Sequence, residues 1–289
     1  MNYRLFASQV ELPEVGLGTW KYSGGPTPLR HGLDLGSILI DTAESYGTEE
    51  IVGEAIRGLR HKVFLATKIS AFHFRRRDVK LAAEASLGRL KTDYIDLYQL
   101  HWPNLVVPLE ETMSAMEDLA NEGKIRFIGV SNFLVRDLRR AQAALSRHKI
   151  FSNQVRYSLI DRTIEGRLMD YCQQNQIAII AFTPLAHGLD LLAEMDPDRW
   201  LDRISKQCGK TRAQVALNWC LSKQGVVTIP KASTIERVAE NCGASGWSLS
   251  VEQLRDLSAN IRFRRRGSLE VALRRTAKYI LQRVGRDPA

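Results

Sequence analysis

Apolar residues in this chain follow two alternating rhythms. Short, nearly continuous apolar runs stand at residues 15–20, 37–41, 63–68, 95–100, 127–131, 152–155, 177–182 and 226–230. Between them, at 49–59, 78–90, 109–121, 135–145, 165–175 and 212–221, apolar residues return every three or four positions, as Met113, Met116 and Leu119 do. The first rhythm belongs to strands covered on both faces, the second to amphipathic helices. Eight such units in roughly 240 residues fit a closed α/β barrel of the (β/α)8 TIM type, taken as one catalytic domain over residues 1–261. An open doubly wound sheet is the alternative, and it usually carries a G-x-G-x-x-G turn after its first strand. Here that place is held by Lys21-Tyr22-Ser23-Gly24-Gly25-Pro26, which does not match. No Pro/Gly/Ser-rich linker interrupts the series.

Polar residues collect where such barrels keep their chemistry, at the carboxyl ends of the strands. Asp41 closes the second strand, Lys68 the third, and His101 follows the fourth in the stretch Leu100-His101-Trp102-Pro103. Ser131 and Asn132 end the fifth, Gln154 lies near the end of the sixth, and Lys231 follows the eighth. His101 shares its period-2 parity with Ile95 and Leu97 and is expected to point where they point. Singly, each has a structural reading: a helix cap for Asp41 or Ser131-Asn132, a snorkelling lysine, a hydrogen-bonded core histidine. Six at one rim point to an active site.

These stretches together resemble the aldo-keto reductase family. The resemblance rests on Asp41-Thr42-Ala43-Glu44-Ser45-Tyr46-Gly47, Lys68, Leu100-His101-Trp102-Pro103, Gly123-Lys124-Ile125-Arg126, Gly129-Val130-Ser131-Asn132-Phe133 and Ile229-Pro230-Lys231. It spans about residues 15–241 and implies four catalytic positions, Asp41, Tyr46, Lys68 and His101. The chemistry of carbonyl reduction accounts for that set. Carbon needs a hydride and oxygen a proton, and tyrosine, with an ordinary pKa of about 10, is a poor acid near neutrality. An adjacent buried ammonium, Lys68, would bring Tyr46 toward working pH, and Asp41 would keep that ammonium from standing bare. His101 would donate to the carbonyl oxygen as charge builds there.

No side chain supplies hydride, so the resemblance implies a nicotinamide dinucleotide. Ser131, Asn132 and Gln154 would hold its carboxamide, and Phe182 would stack on the ring where many relatives have tyrosine. Lys231 and Arg237, at the start of the helix after the eighth strand, would bind a 2′-phosphate and select NADPH, with Glu240 and Asn241 near the adenine. Ala232 stands where many relatives carry serine, and residues 185–200 leave little chain to clamp the pyrophosphate. Trp20 and Trp102 are expected to form apolar walls of the pocket for a small-molecule carbonyl substrate, with a preference for aldehydes with hydrophobic bodies. A cofactor-binding regulatory barrel like the potassium-channel β subunits is the rival reading. A phosphosugar isomerase is a third, and it leaves Phe182 and Gln154 without a role.

Composition changes the picture in two places. Of the formal charge of +9, the segment 262–289 holds +7, with nine Lys and Arg against two Asp and Glu, so the body is nearly neutral. In that segment Leu269, Leu273, Ala277, Ile280 and Val284 recur at helical spacing among basic residues. The expectation is a basic C-terminal helical tail whose stripe packs on the barrel; a contact with an anionic membrane surface or nucleic acid is the alternative. Cys172, Cys208, Cys220 and Cys242 have no metal-like spacing and read as reduced thiols, so no metal is expected. The longest apolar run, 177–182, is far too short for a membrane span, and no apolar leader follows Met1. The expected compartment is the cytoplasm.

Overall fold

The structure, a computed structural model, describes residues 1–267 and Glu270. A hairpin, β1 (Tyr3–Phe6) with β2 (Val10–Pro13), precedes the first barrel strand, β3 (Leu17–Gly18). The chain continues through α1 (Pro26–Asp34), β4 (Leu39–Asp41), α2 (Glu49–Ala55), β5 (Phe64–Ile69), α3 (Arg76–Leu90) and β6 (Ile95–Leu100). Next come α4 (Leu109–Asn121), β7 (Ile125–Ser131), α5 (Val135–Ala143), β8 (Ile150–Arg156), α6 (Arg167–Gln174) and β9 (Ala178–Phe182). Helices α7 (Leu189–Glu194), α8 (Trp200–Cys208) and α9 (Arg212–Leu221) lead to β10 (Val226–Thr228), α10 (Ile235–Cys242) and α11 (Val251–Asn260).

Strands β3 to β10 form one parallel sheet in sequence order. It closes on itself: Gly16 N donates to Thr228 O at 2.7 Å, Thr228 N to Glu14 O at 2.9 Å, and Gly18 N to Pro230 O at 3.2 Å. Period-2 alternation then sorts the side chains. Tyr98, Leu100, Ile128, Val130, Ile179 and Ala181 pack outward with the helices. Phe64, Ala66, Leu97, Ala178, Ile180 and Val227 fill the interior. Ile95 joins the outer cluster, so the inward parity that leads to His101 holds from Leu97 onward.

Beyond the strand–helix rhythm, the structure adds the hairpin, which plugs the amino end with Leu12 and Phe6, and the helices α1, α7, α8 and α11. Helix α1 opens on Pro26 and Pro28, residues tolerated in a first turn but poor as a periodic signal. The strand expected over 15–20 is regular only at Leu17 and Gly18, with an isolated bridge from Val15 to Thr228, and the chain turns at Lys21, whose φ is 53°. In β8 the pairing with β7 slips between Ile128 and Gly129, where Ile128 faces Ile150 but Gly129 faces Ser152. Phe151 is the extra residue of that bulge. The slip lets both Phe151, at the amino end, and Gln154 with Arg156, at the carboxyl end, face inward. Gly129 fits there because an added Cβ would stand 2.6 Å from Ser152 Oγ and 2.8 Å from Gln99 Cγ.

Apart from Glu270, the expected tail helix over 269–284 lies outside the described residues. The first part of the basic segment is described, and it is laid on the loop after β8. Arg264 N donates to Ile160 O at 2.8 Å, Arg162 N to Arg264 O at 3.0 Å, and Arg266 pairs with Asp161 at 2.7 Å. The buried Arg162 guanidinium lies between Trp219 and Phe263, 4.6 and 4.2 Å from their centroids, and donates to Ser258 O at 2.8 Å. Among the described residues, no helix is long and apolar enough to cross a membrane.

Candidate active site

The carboxyl ends of the strands surround a cavity of about 680 Å³. Its floor is a buried ion pair. Lys68, the fifth residue of β5, is fully enclosed and donates from Nζ to Asp41 Oδ1 at 2.6 Å and to Thr42 O at 2.8 Å. Burial alone would pull the Lys68 pKa down; the Asp41 carboxylate and the Tyr46 hydroxyl outweigh it and hold the ammonium above its ordinary value.

Asp41 is fixed from its other oxygen as well. Gln154 Nε2 donates to Asp41 Oδ2 at 2.7 Å and Gln99 Nε2 donates to the same oxygen at 3.3 Å. Thr19 Oγ1 donates to the Asp41 carbonyl at 3.0 Å, and Thr42 and Thr48 share a hydroxyl contact of 2.8 Å below it. Every acceptor of the buried carboxylate thus faces a donor, as a charge out of water requires.

Tyr46 ends a 3-10 turn, Glu44–Tyr46, just after β4. Glu44 holds that turn to the next strand's loop, accepting from Ser70 N and lying 3.0 Å from His73 Nδ1. The hydroxyl that results lies 3.5 Å from Lys68 Nζ and 3.4 Å from His101 Nε2. The Tyr46 and His101 rings meet edge to face at 5.5 Å, and Trp102 stacks on His101 at 6.2 Å. Tyr46 Oη and His101 Nε2 therefore face the same volume of cavity.

The structure brings together Asp41, Tyr46, His101, Ser131, Asn132, Gln154, Phe182, Lys231, Trp20 and Trp102 as lining of this cavity, with Lys68 directly beneath. Ser131 Oγ donates to Gln154 O at 2.9 Å, and Asn132, held at a φ of 61°, donates from Nδ2 to Ser131 Oγ at 2.9 Å. Arg237, Glu240 and Asn241 lie on α10, outside the cavity lining. Arg237 is exposed and pairs with Glu240 at 3.5 Å, while Asn241 is buried. Lys231 lies exposed at the edge, next to a turn tightly packed on the loop after β3, where Ser23 N donates to Ser233 Oγ.

Four contributors were not singled out from sequence. Gln99 carries a signal, being a polar residue at the inward parity two places before His101. Arg156, two places after Gln154 in the same strand, carries the same signal; Lys21 and His187 carry none, since their placement depends on how the loops meet. Among the described residues no group of three or more His, Cys, Asp or Glu is arranged to hold a metal ion.

A TIM barrel with this tetrad at its rim defines a class of carbonyl oxidoreductase. The chain belongs to the aldo/keto reductase family, whose model matches residues 14–261. It is 42% identical to methylglyoxal reductase YeaE of Escherichia coli K12 over 260 residues, covering 86% of this chain and 91% of that protein. Against glyoxal reductase of Bacillus subtilis it is 36% identical over 256 residues, 86% of this chain and 89% of that one. Among solved structures, an aldo-keto reductase from Klebsiella pneumoniae in complex with NADPH superposes with a TM-score of 0.85 at 39% identity, covering 92% of this chain and 98% of that one.

Proposed function

We propose that this enzyme reduces small aldehydes and ketones to alcohols with NADPH, Tyr46 delivering the proton. The observation that carries the reading is the line Asp41–Lys68–Tyr46–His101, with contacts of 2.6, 3.5 and 3.4 Å in that order. Lys68 stabilises the phenolate that Tyr46 becomes on giving up its proton, and so lowers the cost of the transfer. Asp41 keeps Lys68 charged and in place. His101 donates from Nε2 to the substrate oxygen while negative charge grows there. A buried ion pair of this kind costs desolvation and is weak as a source of stability, which favours a chemical reason for keeping it.

NADPH, when bound, supplies the hydride that no side chain can. The residues present fit it. Gln154 and Asn132 commit their amide nitrogens to Asp41 and Ser131, which leaves Oε1 and Oδ1 as acceptors for a carboxamide. Phe182 offers a flat face beside them, and Lys231 a cation at the far edge of the same cavity. Arg237 sits in the first turn of α10 and Glu240 and Asn241 in the second, where Arg237 need only exchange a weak surface pair to meet a 2′-phosphate. Relatives named as methylglyoxal and glyoxal reductases make small 2-oxoaldehydes the first substrates to try, with Trp20 and Trp102 closing the pocket around them.

The test is loss of nicotinamide absorbance on mixing the protein, NADPH and methylglyoxal. Steady oxidation that needs all three is the expected result. Tight NADPH binding with no turnover on any of a panel of aldehydes would instead favour a regulatory barrel.

A further inference from the structure

Arg156 is the last residue of β8, and its register partner on the neighbouring strand is Phe182, the last residue of β9. Both line the cavity. The Arg156 guanidinium stands over the Phe182 ring, 5.5 Å from its centroid, and donates from Nη1 to His187 Nε2 at 3.0 Å. An arginine can only donate, so His187 accepts at Nε2 and is the neutral tautomer with its proton on Nδ1. Burial first, then the charges of Arg156 and Lys21, push the His187 pKa below its ordinary 6.5. His187 also meets Trp20, edge to face at 5.6 Å, and Lys21 lies over that indole at 4.6 Å. The groups around Phe182 therefore add positive charge to the cavity wall.

The reduced and oxidised dinucleotides carry identical phosphates and differ by one positive charge on the nicotinamide ring. Whatever the protein does to the phosphates cancels in the ratio of the two affinities. A fixed cation beside the ring does not cancel, because it opposes only the pyridinium. We propose that Arg156, held over Phe182, penalises the oxidised cofactor and so makes the protein bind NADPH in preference to NADP+. This rests on the reading that Phe182 receives the nicotinamide ring. Its consequence is directional: the spent cofactor is held more weakly than the fresh one, which favours release after reduction.

The experiment is titration of NADPH and NADP+ separately, followed by quenching of the fluorescence of Trp20 and Trp102, for the full chain and for Arg156→Met and Arg156→Lys. Unit charges about 10 Å apart change an affinity by between about twofold in water-like and fifteenfold in protein-like surroundings. The wild-type ratio Kd(NADP+)/Kd(NADPH) should exceed one. Arg156→Met should lower it by a factor in that range, and Arg156→Lys should retain part of the preference. Equal weakening of both nucleotides by Arg156→Met overturns the proposal and makes the arginine a phosphate contact. An unchanged ratio with a raised KM for a carboxylate-bearing aldehyde also overturns it and makes the arginine a substrate contact. If Arg156→Met does not fold, the wild-type ratio is followed against KCl. Screening should shrink it toward one, and a ratio that ignores salt rejects the proposal. Failure of the wild-type protein to bind either nucleotide strikes the cofactor reading first and this inference with it.

Discussion

The two ends of this barrel both bury their central residues and are built from opposite chemistry. At the amino end Phe6, Phe64, Phe127 and Phe151 close the interior, with ring centroids 4.7 to 6.2 Å apart. At the carboxyl end the interior is Asp41, Lys68, Gln99 and Gln154. Phe64 and Phe151 keep 6% and 3% of their surface, Asp41 and Lys68 2% and 0%. Burying the aromatic end stabilises the fold outright, through area removed from water and ring packing. Burying the polar end costs desolvation that the hydrogen-bonded ion pair offsets. Burial alone therefore does not say what an inward residue is for; the partner it meets does.

The largest expected effect separates the ends through chemistry. Tyr46→Phe removes a proton donor and no packing, so turnover should fall by about a hundred- to ten-thousandfold while NADPH affinity stays near wild type. Ordinary aldehyde reduction by that variant would remove Tyr46 from the mechanism. Phe151→Ala should do the reverse: a loss of about 3–5 kcal/mol in denaturant unfolding, with NADPH affinity and turnover nearly unchanged below the melting range. Parallel losses of stability and catalysis would mean that the ends are coupled through the bulge in β8.

Smaller effects sharpen the contrast at the periphery of each end. Arg237→Ala, on the carboxyl side, should cost about 1.5–3 kcal/mol in NADPH binding and little in NADH binding. Equal wild-type affinities for the two cofactors would sink the phosphate assignment and leave the fold intact. On the amino side, Glu117 in α4 accepts from Ser146 N, Arg147 N and His148 N, at 2.8 to 3.1 Å, in the loop that leads into β8. Burial would raise its pKa, but the backbone donors of Arg147, Ser146 and His148 and the Ser146 hydroxyl win and lower it to about 2. A carboxyl with a depressed folded pKa stabilises above its ordinary 4.5 and loses that contribution as pH falls toward about 2. Glu117→Gln should therefore lower stability at neutral pH and flatten its decline across that window. An unchanged acid slope would show that the loop does not depend on the charge.

Much of this was legible before any coordinates. The barrel class follows from two periodicities, and those are local: a strand or an amphipathic helix declares itself within a dozen residues. Asp41, Lys68 and His101 were legible as candidates because strand ends are local too and each interrupts or follows an apolar run where a polar group needs a reason; Tyr46 rested on the family resemblance alone. The hairpin was missed because each of its strands is four residues long and a 3-10 turn, Ala7–Gln9, joins them in place of an Asn-Gly signal.

What the tertiary structure alone decided is which inward residues meet. The bulge at Phe151 leaves no mark in the pattern 150–156, yet it puts a plug residue and two rim residues of one strand on the same face. Gln154 reaches Asp41 across 113 positions, and Arg156 finds His187 because the loop after β9 folds back over the end of β8. Period and composition constrain a residue against its neighbours in sequence. Closing a sheet into a barrel sets the remaining distances, and the charges around the cavity follow from those.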